Sequence, residues 1–242
     1  MSATQLHTLR IGPTDPHYGR KVVWELPVRI AHWVNALAIT VLFCTGLYIS
    51  SPQLAPSGEA YHHFVMGRFR EVHFIAGYLL LFGFILRVYW FYVGNNYARS
   101  GFPFLWKRSW WADLRAQGLQ YLKLERGFVH LGHNALAGSA YTFFVIGLGW
   151  FQIFTGLALY SEVHPGGFWD KALGWVIPLL GGSFRTHMWH HTVAWSFVVF
   201  AILHLYIVIY DSAQFKNGLI TSIISGYKFY EDGDLDNDRW LS

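Results

Sequence analysis

Residues 187–210 read H-M-W-H-H-T-V-A-W-S-F-V-V-F-A-I-L-H-L-Y-I-V-I-Y, twenty-four positions without Asp, Glu, Lys or Arg, of which four are histidine. A helix needs about 20 consecutive apolar residues to cross the hydrocarbon core of a bilayer, and this stretch has them. Working outward from it, three more stretches meet the same requirement. Residues 28–49 carry one formal charge, Arg29 at the start, and residues 72–93 carry one, Arg87. Between Gly127 and Ser161 there is no charged residue, and the apolar part, 134–160, is long enough to span with tilt. A shorter apolar run, 172–184, contains Pro178 and three glycines and reads as an interfacial or re-entrant segment. The sequence therefore predicts an all-α membrane protein with four transmembrane helices at about 28–49, 72–93, 134–160 and 187–210.

Composition agrees. Of the 242 residues, 53% are hydrophobic and 13% charged, the latter about half of the roughly 25% of an average soluble protein. The net charge of +4 is not gathered into a basic groove of the kind nucleic acid requires. It sorts by loop instead. Fourteen Lys and Arg fall with the N-terminus, the 94–133 loop and the C-terminus, whereas Arg68, Arg70, Lys171 and Arg185 fall on the other side. The positive-inside rule then puts both termini in the cytoplasm. The first residues are polar, so no cleaved leader is expected. Residues 1–21 read as a flexible cytoplasmic tail, 22–227 as the four-span domain and 228–242 as an acidic cytoplasmic tail. The segment 103–126 mixes Trp106, Trp110, Trp111 and Tyr121 with basic residues and reads as a helix lying on the inner surface, aromatic side towards lipid. A single cysteine excludes an internal disulfide, thiolate zinc sites, Cys-held iron–sulfur clusters and covalent haem attachment through C-x-x-C-H.

Histidine inside a span is costly unless it is paired, faces water or binds something. A single one is usually a satisfied core residue, but here the positions match in depth. His32 is early in the first span and His204 late in the fourth, which runs the opposite way, so both belong to the inner half. His73 begins the second span and His190 lies near the start of the fourth, so both belong to the outer half. His190 and His204 are fourteen residues apart, which on an ideal helix is within about 40° of one face and about 21 Å of rise. His187 and His191 fit that shared face less well. Two imidazoles from facing helices are how a bundle grips a b-type haem without a covalent link. The pairs His73/His190 and His32/His204 are accordingly candidate axial ligands to the iron of two haems b, giving a dihaem four-helix bundle. Arg87, fourteen residues after His73, falls at the inner level, where a guanidinium suits haem propionates; the alternative is an arginine snorkelling to the inner surface. Gly46, Gly77, Gly83, Gly147, Gly149 and Gly156 allow close approach of a flat ring or of another helix.

R-I-A-H-W at 29–33, followed by T-G at 45–46, resembles the first signature of the b-type cytochrome subunits of nickel–iron hydrogenases, and residues 187–204 resemble the second. S-G-E-A at 57–60, M-G-R-F-R at 66–70, G-H-N at 132–134, T-G-L-A-L-Y-S-E at 155–162 and S-G-Y at 225–227 are similar as well. The likeness runs from about Val22 to Tyr227. The W-H-H triplet leaves the ligand among His187, His190 and His191 open. The resemblance implies a subunit that anchors a periplasmic nickel–iron hydrogenase, of small and large subunits, to the membrane. Electrons from its iron–sulfur clusters would pass through two haems to a membrane quinone, menaquinone or ubiquinone. Hydrogen chemistry would belong to the partner, and this chain would be an electron-transfer subunit. Quinone candidates near the inner level are Asn35, His133 and Asn134. Asn134 is favoured by resemblance to the gamma subunit of membrane formate dehydrogenase, although Asn also suits a helix N-cap. Outer loops 50–71 and 161–186, with Trp169 and Trp175, would meet the partner. A cytochrome b serving formate dehydrogenase, thiosulfate reductase or a b561-like system shares the plan. A haem-free anchor or transporter is the reading from another class.

Overall fold

A computed structural model describes residues 18–53, 63–122 and 130–231, which fall into two compact units. The stretches 1–17 and 232–242, most of the two expected tails, lie outside the described residues, as does S-G-E-A at 57–60.

One unit comprises residues 30–90 and 142–205. It is built on four long helices: α1 (Leu26–Ser50), α2 (Val65–Val93), α4 (Ala135–Ser161) and α7 (Ser183–Phe215). All four are long and apolar enough to cross a membrane, and each contains the corresponding expected span to within a residue at every end. Pro27 sits in the first turn of α1, where a missing N–H costs nothing. Within α4, Tyr141–Leu148 is wound as a π-helix. The apolar run 172–184 does not fuse with the fourth span. It forms the end of α5 (Phe168–Leu173) and α6 (Val176–Leu179). Gly181 and Gly182, at φ 88° and 102°, then turn the chain before α7, a left-handed conformation that favours glycine.

Ala38 of α1, Leu80 and Phe84 of α2 and Ile153 of α4 form a buried cluster, with Leu42, Trp150 and Leu157 packed against it. Leu37, Phe82, Phe143, Ile202 and Leu205 remain exposed. Apolar side chains turned outward on helices that satisfy their own backbone are what a hydrocarbon solvent requires.

The other unit comprises the described residues of 18–29, 91–141 and 206–231. Here the expectation of an all-α chain needs correction. β1 (Tyr18–Val22) pairs antiparallel with β2 (Tyr227–Glu231), with Arg20 opposite Phe229 and Val22 opposite Tyr227. The expected boundaries at 21/22 and 227/228 therefore cut through a strand pair. In β2 the buried position is Lys228, whereas Tyr227 and Phe229 are exposed, so no apolar alternation marks the strand. α8 (Leu219–Ser225) precedes β2 and ends at Gly226, φ 88°. α3 (Arg108–Tyr121) occupies the middle of the expected surface helix. Trp110 is buried against Ala135, with Phe104 and Leu114 packed around them, whereas Trp106 and Trp111 are exposed. One of the three tryptophans thus faces protein where all were expected to face lipid.

This unit has a polar interior. Lys228 is 2% exposed and donates from Nζ to the His130 carbonyl at 3.3 Å, over the Trp24 ring. His130 Nε2 lies 2.9 Å from Asp113 Oδ1. Tyr121 donates to Asp211 at 2.8 Å. Burial, with the Asp211 carboxylate beside it, raises the Tyr121 phenol above its ordinary range and keeps it the proton donor.

A methyl group on Gly149 would run into the Phe84 ring, whereas one on Gly147 would meet only the Thr142 carbonyl at 3.6 Å. Gly149→Ala is expected to cost about 1–3 kcal/mol by overpacking. Thermal unfolding in mild detergent should show a lower midpoint for Gly149→Ala than for Gly147→Ala, and Phe84→Leu should recover part of the loss.

Candidate functional site

The first unit brings the four expected histidines together in two pairs. His32 of α1 faces His204 of α7 with ring centroids 6.4 Å apart. His73 of α2 faces His190 of α7 at 6.5 Å. An imidazole nitrogen sits about 2 Å from a metal it ligates, and the ring centroid roughly 1 Å beyond. Two rings facing across one metal therefore have centroids about 6 Å apart, and both pairs meet that separation. The levels are set by α7, which carries a member of each pair.

Helix register explains the choice among the three neighbouring histidines. His187 Nδ1 lies 3.0 Å from the Ser183 carbonyl, and His191 Nε2 accepts from Trp195 Nε1 at 3.2 Å. Both are exposed and engaged along their own helix. His190 is the one turned towards His73.

Around the His73/His190 pair the helices leave a cavity of about 870 Å³, lined among others by Gly46, Gly77, Gly156, Phe74, Leu157 and both rings. Nothing lies within 4 Å of where a Gly77 side chain would begin. A mostly apolar cavity into which two facing imidazoles project fits a flat macrocycle held through its iron.

Sequence reasoning quoted the two Thr-Gly dipeptides but gave the threonines no role. Thr45 Oγ1 lies 2.8 Å from His73 Nδ1, and Thr155 Oγ1 lies 2.9 Å from His190 Nδ1. The following glycines stand against the same rings. A Cβ on Gly46 would sit 3.4 Å from His73 Cε1, and one on Gly156 would sit 3.1 Å from His190 Cε1. The repeated T-G was the available signal, but only the packing reveals what it touches. Gln152 Nε2 adds a bond to the His190 carbonyl at 3.0 Å.

The remaining expected residues have other surroundings. Asn35 follows His32 by one turn and packs on Gly83; its buried Oδ1 has no hydrogen-bond partner among the described residues. Arg87 is half-buried on α2. In the other unit, Asn134 caps α4 by accepting from Ala137 N at 2.7 Å, and donates to Gln117 at 3.1 Å. His133 Nδ1 lies 2.9 Å from Ser100 Oγ, and its ring lies 5.0 Å from that of Trp24.

Residues 23–226 match the prokaryotic cytochrome b561 family. The chain belongs to that family. It is 41% identical over 214 residues to a probable Ni/Fe-hydrogenase B-type cytochrome subunit of Azotobacter chroococcum mcd 1, covering 87% of this chain and 89% of the relative. Against the subunit of the same name from Cupriavidus necator it is 40% identical, with 87% of each chain covered. The probable Ni/Fe-hydrogenase 1 B-type cytochrome subunit of Escherichia coli K12 is 34% identical, over 89% of this chain and 93% of the relative. A b-type cytochrome carries haem b, and four helices of this chain are long and apolar enough to cross a membrane.

Gly156→Ala should press on His190 at 3.1 Å, and Gly46→Ala on His73 at 3.4 Å. If these imidazoles hold haem, the expected outcome is weaker haem retention, by about 10–100-fold for Gly156→Ala, the usual cost of disturbing a ligand's support. Gly46→Ala should have the milder effect, both read as haem per chain by pyridine haemochrome spectroscopy after detergent washing.

Proposed function

We propose that the chain is the dihaem cytochrome b that anchors a periplasmic nickel–iron hydrogenase to the bacterial inner membrane and passes its electrons to the quinone pool. The observation that carries this reading is the pair of facing imidazole couples, His73 with His190 and His32 with His204, at two levels of one helix. The names of the relatives support hydrogenase as the donor. Haem b, when bound, supplies one-electron transfer at each level, from the hydrogenase side inward to quinone. Everything else is the work of this chain's residues. His73 and His190 would hold the outer haem, and His32 and His204 the inner. Their separation along α7, about 21 Å of helix rise, would keep the two sites distinct. Ala38, Leu80, Phe84 and Ile153 form an apolar core, which keeps water from the interior of the helical unit. Arg87 is the candidate partner for inner propionates.

The distribution of basic residues supports cytoplasmic termini. The outer surface for the hydrogenase then includes the 161–186 region, where Trp169 donates to the Tyr78 hydroxyl at 2.8 Å and Phe168, Trp175 and Leu179 are exposed. Of the three quinone candidates, Asn35 is favoured, because its amide oxygen is uncommitted and it lies one turn from His32. Asn134 and His133 are engaged in capping α4 and in bonding Ser100.

Two substitutions test the order of the relay in membranes that contain the hydrogenase. His73→Ala should halve the haem content and abolish hydrogen-driven reduction of the remaining haem. His204→Ala should leave outer-haem reduction by hydrogen intact and cut quinone reduction at least about 100-fold, as losing a whole carrier would (more than about 2.7 kcal/mol in barrier). Full haem content in both variants would refute the ligand assignment, and haem reduced by formate but not by hydrogen would change the donor. Asn35→Leu should slow quinone reduction while both haems still reduce.

A further inference from the structure

We infer that Thr45 and Thr155 are positioning residues that lock the tautomer of the outer haem's two axial ligands and lower that haem's reduction potential. The inference rests on the dihaem reading and deepens it. Both threonines are buried, Thr45 at 7% exposure and Thr155 at 0%. Each hydroxyl has a single proton to give, and each has a carbonyl of its own helix to take it. Thr45 Oγ1 lies 2.7 Å from the Val41 carbonyl and 3.2 Å from that of Leu42. Thr155 Oγ1 lies 2.8 Å from the Phe151 carbonyl and 3.1 Å from that of Gln152.

With the hydroxyl proton committed to the backbone, what remains towards the ring is an oxygen lone pair. The bonds to His73 Nδ1 at 2.8 Å and to His190 Nδ1 at 2.9 Å must therefore be donated by the rings. Each imidazole is then the Nδ1–H tautomer, with the bare lone pair on Nε2, the nitrogen that a metal takes. A ligating histidine whose other N–H is accepted by a fixed group is a more basic ligand and holds one orientation. A more basic pair of ligands favours ferric over ferrous iron, so the potential falls.

The arrangement is duplicated. A threonine on α1 serves the ligand on α2, and a threonine on α4 serves the ligand on α7. In both cases the next residue is a glycine standing against the same imidazole. Thr40 makes the same bond to its own helix, to the Ala36 carbonyl at 2.9 Å, but is exposed and serves no ring. It supplies a control on the same helix. The pair His32/His204 supplies an internal reference at the other level.

The test is an optical redox titration with electron paramagnetic resonance of the oxidised haems. It would use the full chain in its native membranes, for the parent, Thr45→Val, Thr155→Val, the double variant, Thr45→Ser, Thr155→Ser and Thr40→Val. The expected result is a higher midpoint potential for one haem in each valine variant, larger in the double, with altered g-values for that haem only. The serine variants and Thr40→Val should titrate as the parent does. If a valine variant arrives without its outer haem, recovery of haem and potential in the serine variant supports the inference, and failure of the serine variant overturns it. Two haems with unchanged potentials and g-values in the valine variants would overturn the inference and leave the dihaem reading standing. A parent chain with fewer than two haems would overturn both.

Discussion

An imidazole inside an apolar span must find a partner, because no water is there to supply one. This unit contains four that face one another in two couples, with centroids 6.4 and 6.5 Å apart. Too far for a direct hydrogen bond between most ring atoms and well placed for one shared metal, that separation is the constraint around which the helices are arranged. α7 contributes to both couples, so its register decides the pairing at either level. A rotation of one residue along α7 would offer His191 or Trp189 to His73 instead.

The space for such couples has to be held open against the tendency of apolar helices to close. Two features do this. Phe84 and Ile153 fill the helical interior as a buried cluster, so the helices cannot collapse there, and Gly149 admits the Phe84 ring. Towards the His73/His190 couple, glycine at 46, 77 and 156 leaves a cavity lined by both imidazole rings and mostly apolar side chains. Small residues thus serve opposite ends: Gly149 lets protein in, and Gly77 keeps protein out.

The second unit solves a different problem. Asp113 with His130, Tyr121 with Asp211 and Asn134 with Gln117 pair in a largely buried polar interior, and Lys228 donates to the His130 carbonyl; such pairing offsets the cost of burying polar groups. Asp113 does double duty, accepting from the Ala135 N–H at 2.7 Å while facing His130. The start of the third span is thereby tied to α3, and Trp110 is drawn into the interior. The β1–β2 ladder joins the residues before the first span to those after the last.

Apolar length, charge sidedness and helical rise are properties of a single segment, so the sequence by itself determined the membrane class, the four spans and the two levels of histidine. It also carried the family likeness over nearly the whole chain. Which of His187, His190 and His191 turns to His73 depends on how α7 is rotated against α2, and that only the tertiary structure decided. The same holds for Thr45 and Thr155, whose hydroxyls look like ordinary intrahelical partners until a ring from the next helix reaches them. Asn134 was legible both as a quinone contact and as a cap; Ala137 N–H and Gln117, the latter from α3, show which contacts it makes. The strand pair escaped notice because its halves are some two hundred residues apart, and each half is too short to announce a strand until the other lies beside it.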